Sequence, residues 1–273
     1  MRKKRNIKII IGLSSLCLLF LFALLAPLIR PYDPLAMNLS RLLETPSLEH
    51  PFGLDENGMD VLSQVLYGAR ISLWVSGQVV LISLLVGLIV GSISAWFGPV
   101  VDQVLMRLVD MVSAFPRFLL ALALLAMLGT SVFNLILALC LSGWAGFARL
   151  VRAEVLHLKK EEYVLSALSY GASSIRALVF YIWPNLLGLL LVQAAFSLVG
   201  VVIAEAGLSF LGLGVPPEIP SWGRLLSSGR HALGEAPHLS LFPGLALFFL
   251  VLSFQMLGDG LRDFFDPTKA KGI

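Results

Sequence analysis

Long apolar runs alternate with shorter polar connections along most of this chain. Runs long enough to cross a bilayer as a helix lie at residues 9–29, 71–97, 111–128, 132–148, 186–204 and 239–257. Each run must be helical, because hydrocarbon offers the backbone no hydrogen-bond partner and these runs lack the alternation of barrel strands. The pattern therefore predicts an all-α polytopic membrane protein with about six transmembrane helices.

The first run follows a cluster of basic residues, as the apolar core of a signal peptide does. It is longer than such a core, lacks an Ala-x-Ala exit, and spans about 30 Å as a helix. We therefore interpret residues 9–29 as a retained first span.

The basic residues indicate the orientation of the bundle. With the N-terminus in the cytoplasm, fifteen of the 20 Lys and Arg residues fall in inside segments and five fall outside. Short loops rich in Lys and Arg tend to stay in the cytoplasm. Both tails, residues 1–8 and 258–273, are therefore expected there together with the connection 149–184, and the segments 30–70 and 205–238 are expected outside.

Composition agrees with a membrane protein and narrows its chemistry. Hydrophobic residues make up 58% of the chain and charged residues 14%, whereas soluble domains have roughly 45–50% and about 25%. The basic clusters behind the net charge of +3 lie between apolar runs, where membrane orientation explains them. We expect no nucleic-acid partner.

Motifs for metal or catalytic chemistry are missing from the sequence. Cys17 and Cys140 lie inside apolar runs without the spacing of a redox pair, and His50, His231 and His238 have no ligand spacing on one helix. There is no Gly-x-x-x-x-Gly-Lys-[Ser/Thr] loop to hold phosphates, so any ATP hydrolysis must come from another chain. We expect no catalytic site, metal site or cofactor in this chain.

The connection 149–184 predicts a helix-turn-helix on the cytoplasmic face. Residues 163–170 suit a short helix, Gly171 suits its end, Ser173 or Ser174 can cap the next helix, and Pro184 suits the start of the fifth span. The apolar side chains expected to press into a groove on a partner are Val164, Leu168 and Ile175.

This connection resembles the cytoplasmic coupling loop of binding-protein-dependent ABC importer permeases, whose pattern is Glu-Ala-Ala, three residues, Gly, nine residues, Ile-x-Leu-Pro. Ala167, Gly171 and Pro184 fall on that pattern. The residues that replace its Glu, Ala, Ile and Leu are Leu165, Ser166, Tyr181 and Trp183. The resemblance implies an ATPase-coupling site formed by Tyr163, Val164, Ala167, Leu168, Gly171, Ala172, Ile175 and Pro184.

Two further segments narrow the resemblance to the dipeptide, oligopeptide and nickel importer permeases. Residues 50–73 are similar to the external segment of that family, with Met59 and Gln64 where Arg is common, and residues 59–67 are expected to form a short amphipathic helix. Residues 204–223 resemble the loop after the fifth span, and Asp266-Pro267 fits the end of the chain. The external-loop residues singled out in this way are Glu205, Ser209, Gly212, Gly214 and Trp222.

The resemblance implies a type I ABC importer permease of the bacterial inner membrane. Its expected partners are a homologous permease in a heterodimer, two cytoplasmic ATPase subunits that bind ATP and magnesium, an external solute-binding protein, and membrane lipid. Alternating access would move peptides, with nickel or a metal chelate as the alternative cargo. A membrane scaffold is the alternative of another class, whereas an intramembrane hydrolase lacks its motifs.

For several polar and small residues the sequence allows two roles. Glu205 suits a loop-fixing role or contact with solute, and Asn185 and Gln193 suit the pathway or a neighbouring helix. A stripe at four-residue spacing permits close helix contact, within this subunit or against the partner permease. Its members are Ser83, Gly87, Gly91 and Ala95.

Overall fold

The computed structural model of the protein describes residues 2–29 and 32–265 of the 273-residue chain. The expected tail with Asp266-Pro267, Lys269 and Lys271 lies outside the described residues, as does Arg30. Within those two ranges the chain is helical and has no β-strand. The helices are α1 Arg2–Ile29, α2 Val61–Trp96, α3 Pro99–Ser113, α4 Arg117–Leu128, α5 Val132–Leu158, α6 Glu162–Ser169, α7 Ser174–Ala177, a π-helix Leu178–Ile182, α8 Trp183–Phe210, α9 Trp222–Gly229, a 3-10 turn Arg230–Ala232 and α10 His238–Phe265.

Five helical stretches in the described chain are long and apolar enough to cross a membrane. They lie in α1, α2, α5, residues 174–210 and α10. Helices α3 and α4 pass the same test only as a pair, bent by 78° at the break between them. Five spans, or six with the bent pair, confirm the all-α polytopic fold predicted from the apolar runs.

Helix α2 starts earlier than the second apolar run. Asp60 caps it by accepting from the Ser63 backbone N–H, and the helix then continues without interruption to Trp96, a length of about 54 Å. The separate amphipathic helix predicted for residues 59–67 is therefore wrong, because nothing ends the helix between those residues and the span.

The third span, predicted as one helix over residues 111–128, is broken. Helix α3 ends at Ser113 and α4 begins at Arg117. Pro116 has no N–H to donate and disfavours helical geometry in the residue before it, so the chain turns sharply here. The prediction of a continuous helix is wrong for this physical reason.

Pro184 lies in the first turn of α8, in agreement with its predicted place at the start of the fifth span, but the helical path into this span begins earlier. The helical path runs from Ser174 through a π-turn, in which the Trp183 N–H donates to the Leu178 carbonyl, and on to Phe210. A π-turn rearranges the hydrogen-bond ladder just ahead of the proline, whose ring and missing N–H an unbroken α-ladder would not accept. The span is therefore longer than the predicted residues 186–204.

The small-residue stripe packs α2 against α5 of the same chain. A Cβ added at Gly87 would lie 2.3 Å from Phe147 Cβ, and one at Gly91 would lie 2.5 Å from the Ala148 carbonyl oxygen. Ser83 Oγ likewise occupies the space that a Cβ on Gly143 would need, at 2.4 Å. These contacts settle the alternative left open by the sequence, because the stripe is occupied within the subunit.

Different elements lie at the two ends of the helical bundle. The elements before α8 and the elements after it lie at opposite ends of that helix, which we call the α6 end and the α9 end. Lys8 of α1 pairs with Asp263 of α10 at 3.1 Å, and Phe265 lies against Gly188 near the start of α8. The first and last described helices therefore have their outer termini at the α6 end.

Candidate functional site

Residues 162–177, which we call the elbow, form a helix, a sharp turn and a second helix ahead of α8. The turn closes α6 with two hydrogen bonds, from the Gly171 N–H to the Leu168 carbonyl at 2.9 Å and from the Ala172 N–H to the Ala167 carbonyl at 3.0 Å. Gly171 has a φ of +87°, which glycine adopts without strain. Ser173 Oγ then caps α7, so the predicted helix, stop and cap are confirmed.

The elbow turns one face toward the bundle and the other to its surroundings. Val164 is fully buried in a cluster that includes Val155 and Ile182, and partly buried Leu168 packs against this cluster. Ala167 is also buried. Val164 and Leu168 therefore hold the elbow onto the protein, which contradicts their predicted role as groove-filling side chains. The large apolar side chains that the elbow exposes are Leu165, Tyr170 and Ile175, together with part of Tyr163.

Polar contacts fix the segments on either side of the elbow, and one of them reaches the elbow itself at Tyr163. Lys159 Nζ donates to the Ala95 carbonyl at 2.8 Å, and Asn185 Nδ2 donates to the Tyr181 carbonyl at 2.7 Å and to the Tyr163 hydroxyl at 3.3 Å. Burial and the nearby Glu161 charge raise the pKa of Tyr163 above its ordinary value. Asn185 thus bonds neighbouring elements, and exposed Pro184 lies in the first turn of α8, seven residues beyond the elbow.

Helix α3 is tied to the same end of the bundle by charged pairs. Asp102 accepts from both Arg152 Nε and Nη2 at 2.5 Å and from Ser94 Oγ at 2.5 Å. Arg149 and Asp110 form a second, exposed pair at 3.0 Å. A two-pronged arginine–carboxylate pair fixes orientation as well as distance, so α2, α3 and α5 form one unit beside the elbow.

Glu205 joins three segments at the α9 end. Its side chain is fully buried and accepts from Ser72 Oγ of α2 and from Ser209 Oγ of α8, both at 2.9 Å. Ser209 Oγ in turn accepts from the Val215 N–H of the following loop at 3.2 Å. The geometry matches a loop-fixing role, and no solute could reach this carboxylate in the present arrangement.

The loop after α8 begins with a sharp glycine turn and is tightly packed at Gly214. Gly212, with a φ of +78°, ends α8 by the same two-bond turn that Gly171 makes in the elbow. A Cβ at Gly214 would lie 2.1 Å from Ser209 Oγ. Buried Trp222 donates from Nε1 to the Val65 carbonyl at 2.8 Å and lies against Gly68. The five residues predicted for the external loop therefore meet around the end of α8.

Residues 32–60 fold onto the α9 end through buried carboxylates. Asp55 accepts from the Met59 N–H and from Gln64 Nε2, so Gln64 has a partner although Arg is common at this place in the family resembled. Asp60 lies 3.0 Å from His50 Nδ1. Across the described residues no group of three His, Cys, Asp or Glu side chains is placed to hold a metal ion.

A cavity of about 230 Å³ lies between α2, α4, α5 and α8, and several polar side chains line it. Arg117 stands at its edge, on the first turn of α4. Gln193 and Ser197 come from α8, Ser83 from α2 and Ser142 from α5. Gln193 therefore lines this cavity and makes no hydrogen bond to a neighbouring helix among the described residues.

Sequence reasoning missed Arg117 and Ser83 as members of one cavity. By sequence, Arg117 is one of the fifteen basic residues expected on the inside, and Ser83 belongs to the stripe of small residues. The available signal was the pair Pro116-Arg117 inside an otherwise apolar run, since a charge next to a helix breaker is unusual in a span.

Comparisons with known proteins cover almost the whole chain. The family model described as "Binding-protein-dependent transport system inner membrane component" matches residues 84–271. The dipeptide transport system permease protein DppC of Alkalihalophilus pseudofirmus is 38% identical over 97% of this chain and 87% of its own length. The oligopeptide transport system permease protein OppC of Bacillus subtilis is 37% identical over 99% and 89%, and the glutathione transport system permease protein GsiD of Escherichia coli is 41% identical over 93% and 84%.

Proposed function

This chain belongs to the family of binding-protein-dependent transport system inner membrane components, and we propose that it forms half of the translocation pathway of a peptide importer. It is a multi-pass permease of the bacterial inner membrane and not an enzyme. In the proposal a homologous permease completes the pathway, two ATPase subunits bind ATP and magnesium, and an external binding protein delivers the solute. Peptide cargo is proposed because the relatives are named as dipeptide, oligopeptide and glutathione permeases.

The elbow carries the coupling part of this proposal. It is a compact unit whose inner face is buried and whose outer face exposes Leu165, Tyr170 and Ile175, with exposed fractions of 49%, 94% and 70%. The ATPase subunits can transmit a movement only through a rigid element. The capped turn at Gly171 makes the elbow rigid. When the ATPases close, the elbow would transmit the motion to α8 and switch the pathway between its two openings.

Changing Leu165 to Asp tests ATPase docking. The variant places a charge on the exposed apolar face and leaves the buried face untouched, so we expect at least about tenfold less ATPase to co-purify with the permease pair. Leu48→Asp is the matched control, because Leu48 is fully exposed at the α9 end. Equal recovery of ATPase with both variants would show that the elbow is not the docking surface.

The orientation of the elbow is tested separately. A single cysteine at Ser173, in a chain whose Cys17 and Cys140 are replaced by Ala, should react with a membrane-impermeant maleimide only from the cytoplasmic side. Labelling of intact spheroplasts from outside would reverse the proposed topology and remove the coupling role.

A further inference from the structure

The break between α3 and α4 places the N-terminus of α4 at the edge of the cavity. Helix α4 has 12 residues, so Arg117 lies about 18 Å from the turn that joins α4 to α5. Arg117 Nη2 lies against Gly146, which is about 21 Å along the roughly 40 Å of α5. Arg117 therefore lies toward the α6 end of α4 and α5, about one turn of α5 before the exposed Arg149–Asp110 pair.

Arg117 has no counter-charge in the described part of the chain. It is exposed to the space beside the cavity, and it makes no ion pair or hydrogen bond there. No side chain caps α4, whose N-cap position is Pro116. The free N–H groups of the first turn therefore add partial positive charge to that of the guanidinium.

Ser83 supplies an independent sign that the cavity takes a ligand. Its side chain is 2% exposed and lines the cavity, and its Oγ is the buried side-chain oxygen that lacks a hydrogen-bond partner among the described residues. A buried hydroxyl without a partner costs about 1–3 kcal/mol, so such groups usually have a role. The absence of a side chain at Gly143 gives this hydroxyl its space.

We propose that this cavity binds the carboxylate of a peptide in transit, held by Arg117 and the first turn of α4, with Ser83 and Gln193 completing its polar lining. The proposal rests on peptide import as the proposed function and deepens it. Arginine matches a carboxylate with two parallel hydrogen bonds, and the N-terminus of an interrupted helix that borders a cavity is a site where anionic groups of solutes bind. At about 230 Å³ the cavity suits the end of a peptide better than a whole one.

Uptake by the complete transporter in proteoliposomes provides the test. The probes are labelled trialanine and labelled trialanine with a C-terminal amide, each compared with its own wild-type rate. In Arg117→Gln, trialanine uptake should fall about tenfold or more while uptake of the amide changes little, and Arg117→Lys should recover part of the loss. Ser83→Ala should lower trialanine uptake by about threefold, as expected for a neutral hydrogen bond.

Arg107→Gln is the matched control for Arg117→Gln. Arg107 is exposed on α3, on the other side of the same break, and does not line the cavity. This variant should transport both probes at wild-type rates. ATPase stimulation by the loaded binding protein should also stay normal in Arg117→Gln, since the elbow is unchanged.

Three results would contradict the proposal that this cavity binds a peptide carboxylate. Normal trialanine uptake by Arg117→Gln would do so, and so would an equal loss for the acid and the amide. Dissociation of the permease pair in Arg117→Gln but not in Arg107→Gln would assign Arg117 to an ion pair with the partner subunit instead. By contrast, a wild-type transporter without ATP-dependent uptake of either probe would contradict peptide import itself.

Discussion

Replacing Gly171 by alanine should loosen the elbow and leave the bundle intact. The φ of +87° at this residue is unfavourable for any side chain, yet an added Cβ would meet no atom within 4 Å. The cost is therefore backbone strain alone, about 1–2 kcal/mol. A free-energy cost of that size lowers an equilibrium constant by roughly five- to thirtyfold. We therefore expect the affinity of the permease for the ATPase subunits to fall by this factor.

The series of substitutions at Gly171 should follow backbone preference. Asn tolerates a positive φ and should cost least, Ala more, and a β-branched Val more still. Pro should be worst, at about 3 kcal/mol or more, because it cannot reach this φ and loses the hydrogen bond to the Leu168 carbonyl. The assay is the apparent affinity of the purified permease pair for its ATPase subunits, followed by ATP hydrolysed per peptide imported.

Gly212 offers a control with the same local geometry. Its φ is +78°, it ends α8 through the same pair of hydrogen bonds, and a Cβ there would also meet nothing within 4 Å. Gly212→Ala should carry a similar strain but lie at the opposite end of α8. If both alanine variants weaken ATPase binding equally, the effect comes from general destabilisation and the reasoning about the elbow is wrong.

Two further predictions concern stability, read as the melting temperature of the detergent-solubilised protein. Glu205→Ala leaves the hydroxyls of Ser72 and Ser209 without their buried acceptor and should destabilise by about 2–4 kcal/mol, whereas Glu205→Gln should retain most of the stability. A melting temperature unchanged by the alanine would contradict this. Gly91→Ala should be destabilising because its Cβ would lie 2.5 Å from the α5 backbone, whereas Gly77→Ala on the same helix meets nothing within 4 Å and should stabilise by up to about 1 kcal/mol. Equal melting temperatures for these two variants would refute the packing argument.

The elbow shows how far local sequence rules reach. The helix, its glycine stop and its serine cap depend on hydrogen bonds among neighbouring residues, so residue type and spacing sufficed to predict them. Which face of α6 is buried depends on distant residues such as Val155 and Ile182. The orientation of Val164 and Leu168 was therefore predicted wrongly.

The prolines show the same limit of prediction from local sequence. Pro116 interrupts its span, Pro184 follows a π-turn within one, and Pro243 lies inside α10. All three have the same local chemistry, yet only one breaks the helix. The packing of neighbouring helices decides whether the freed carbonyl and the kink can be accommodated.

The sequence alone determined that this chain crosses a membrane several times as helices, because lipid leaves the backbone no other way to satisfy its hydrogen bonds. It also determined the family, since the motif residues stand at their spacing. Only the tertiary structure decided that Arg117, Ser83 and Gln193 share a cavity and that Glu205 binds Ser72. Contacts between residues far apart in the chain depend on how the helices pack and bend. The pattern of apolar residues along the chain does not specify that geometry.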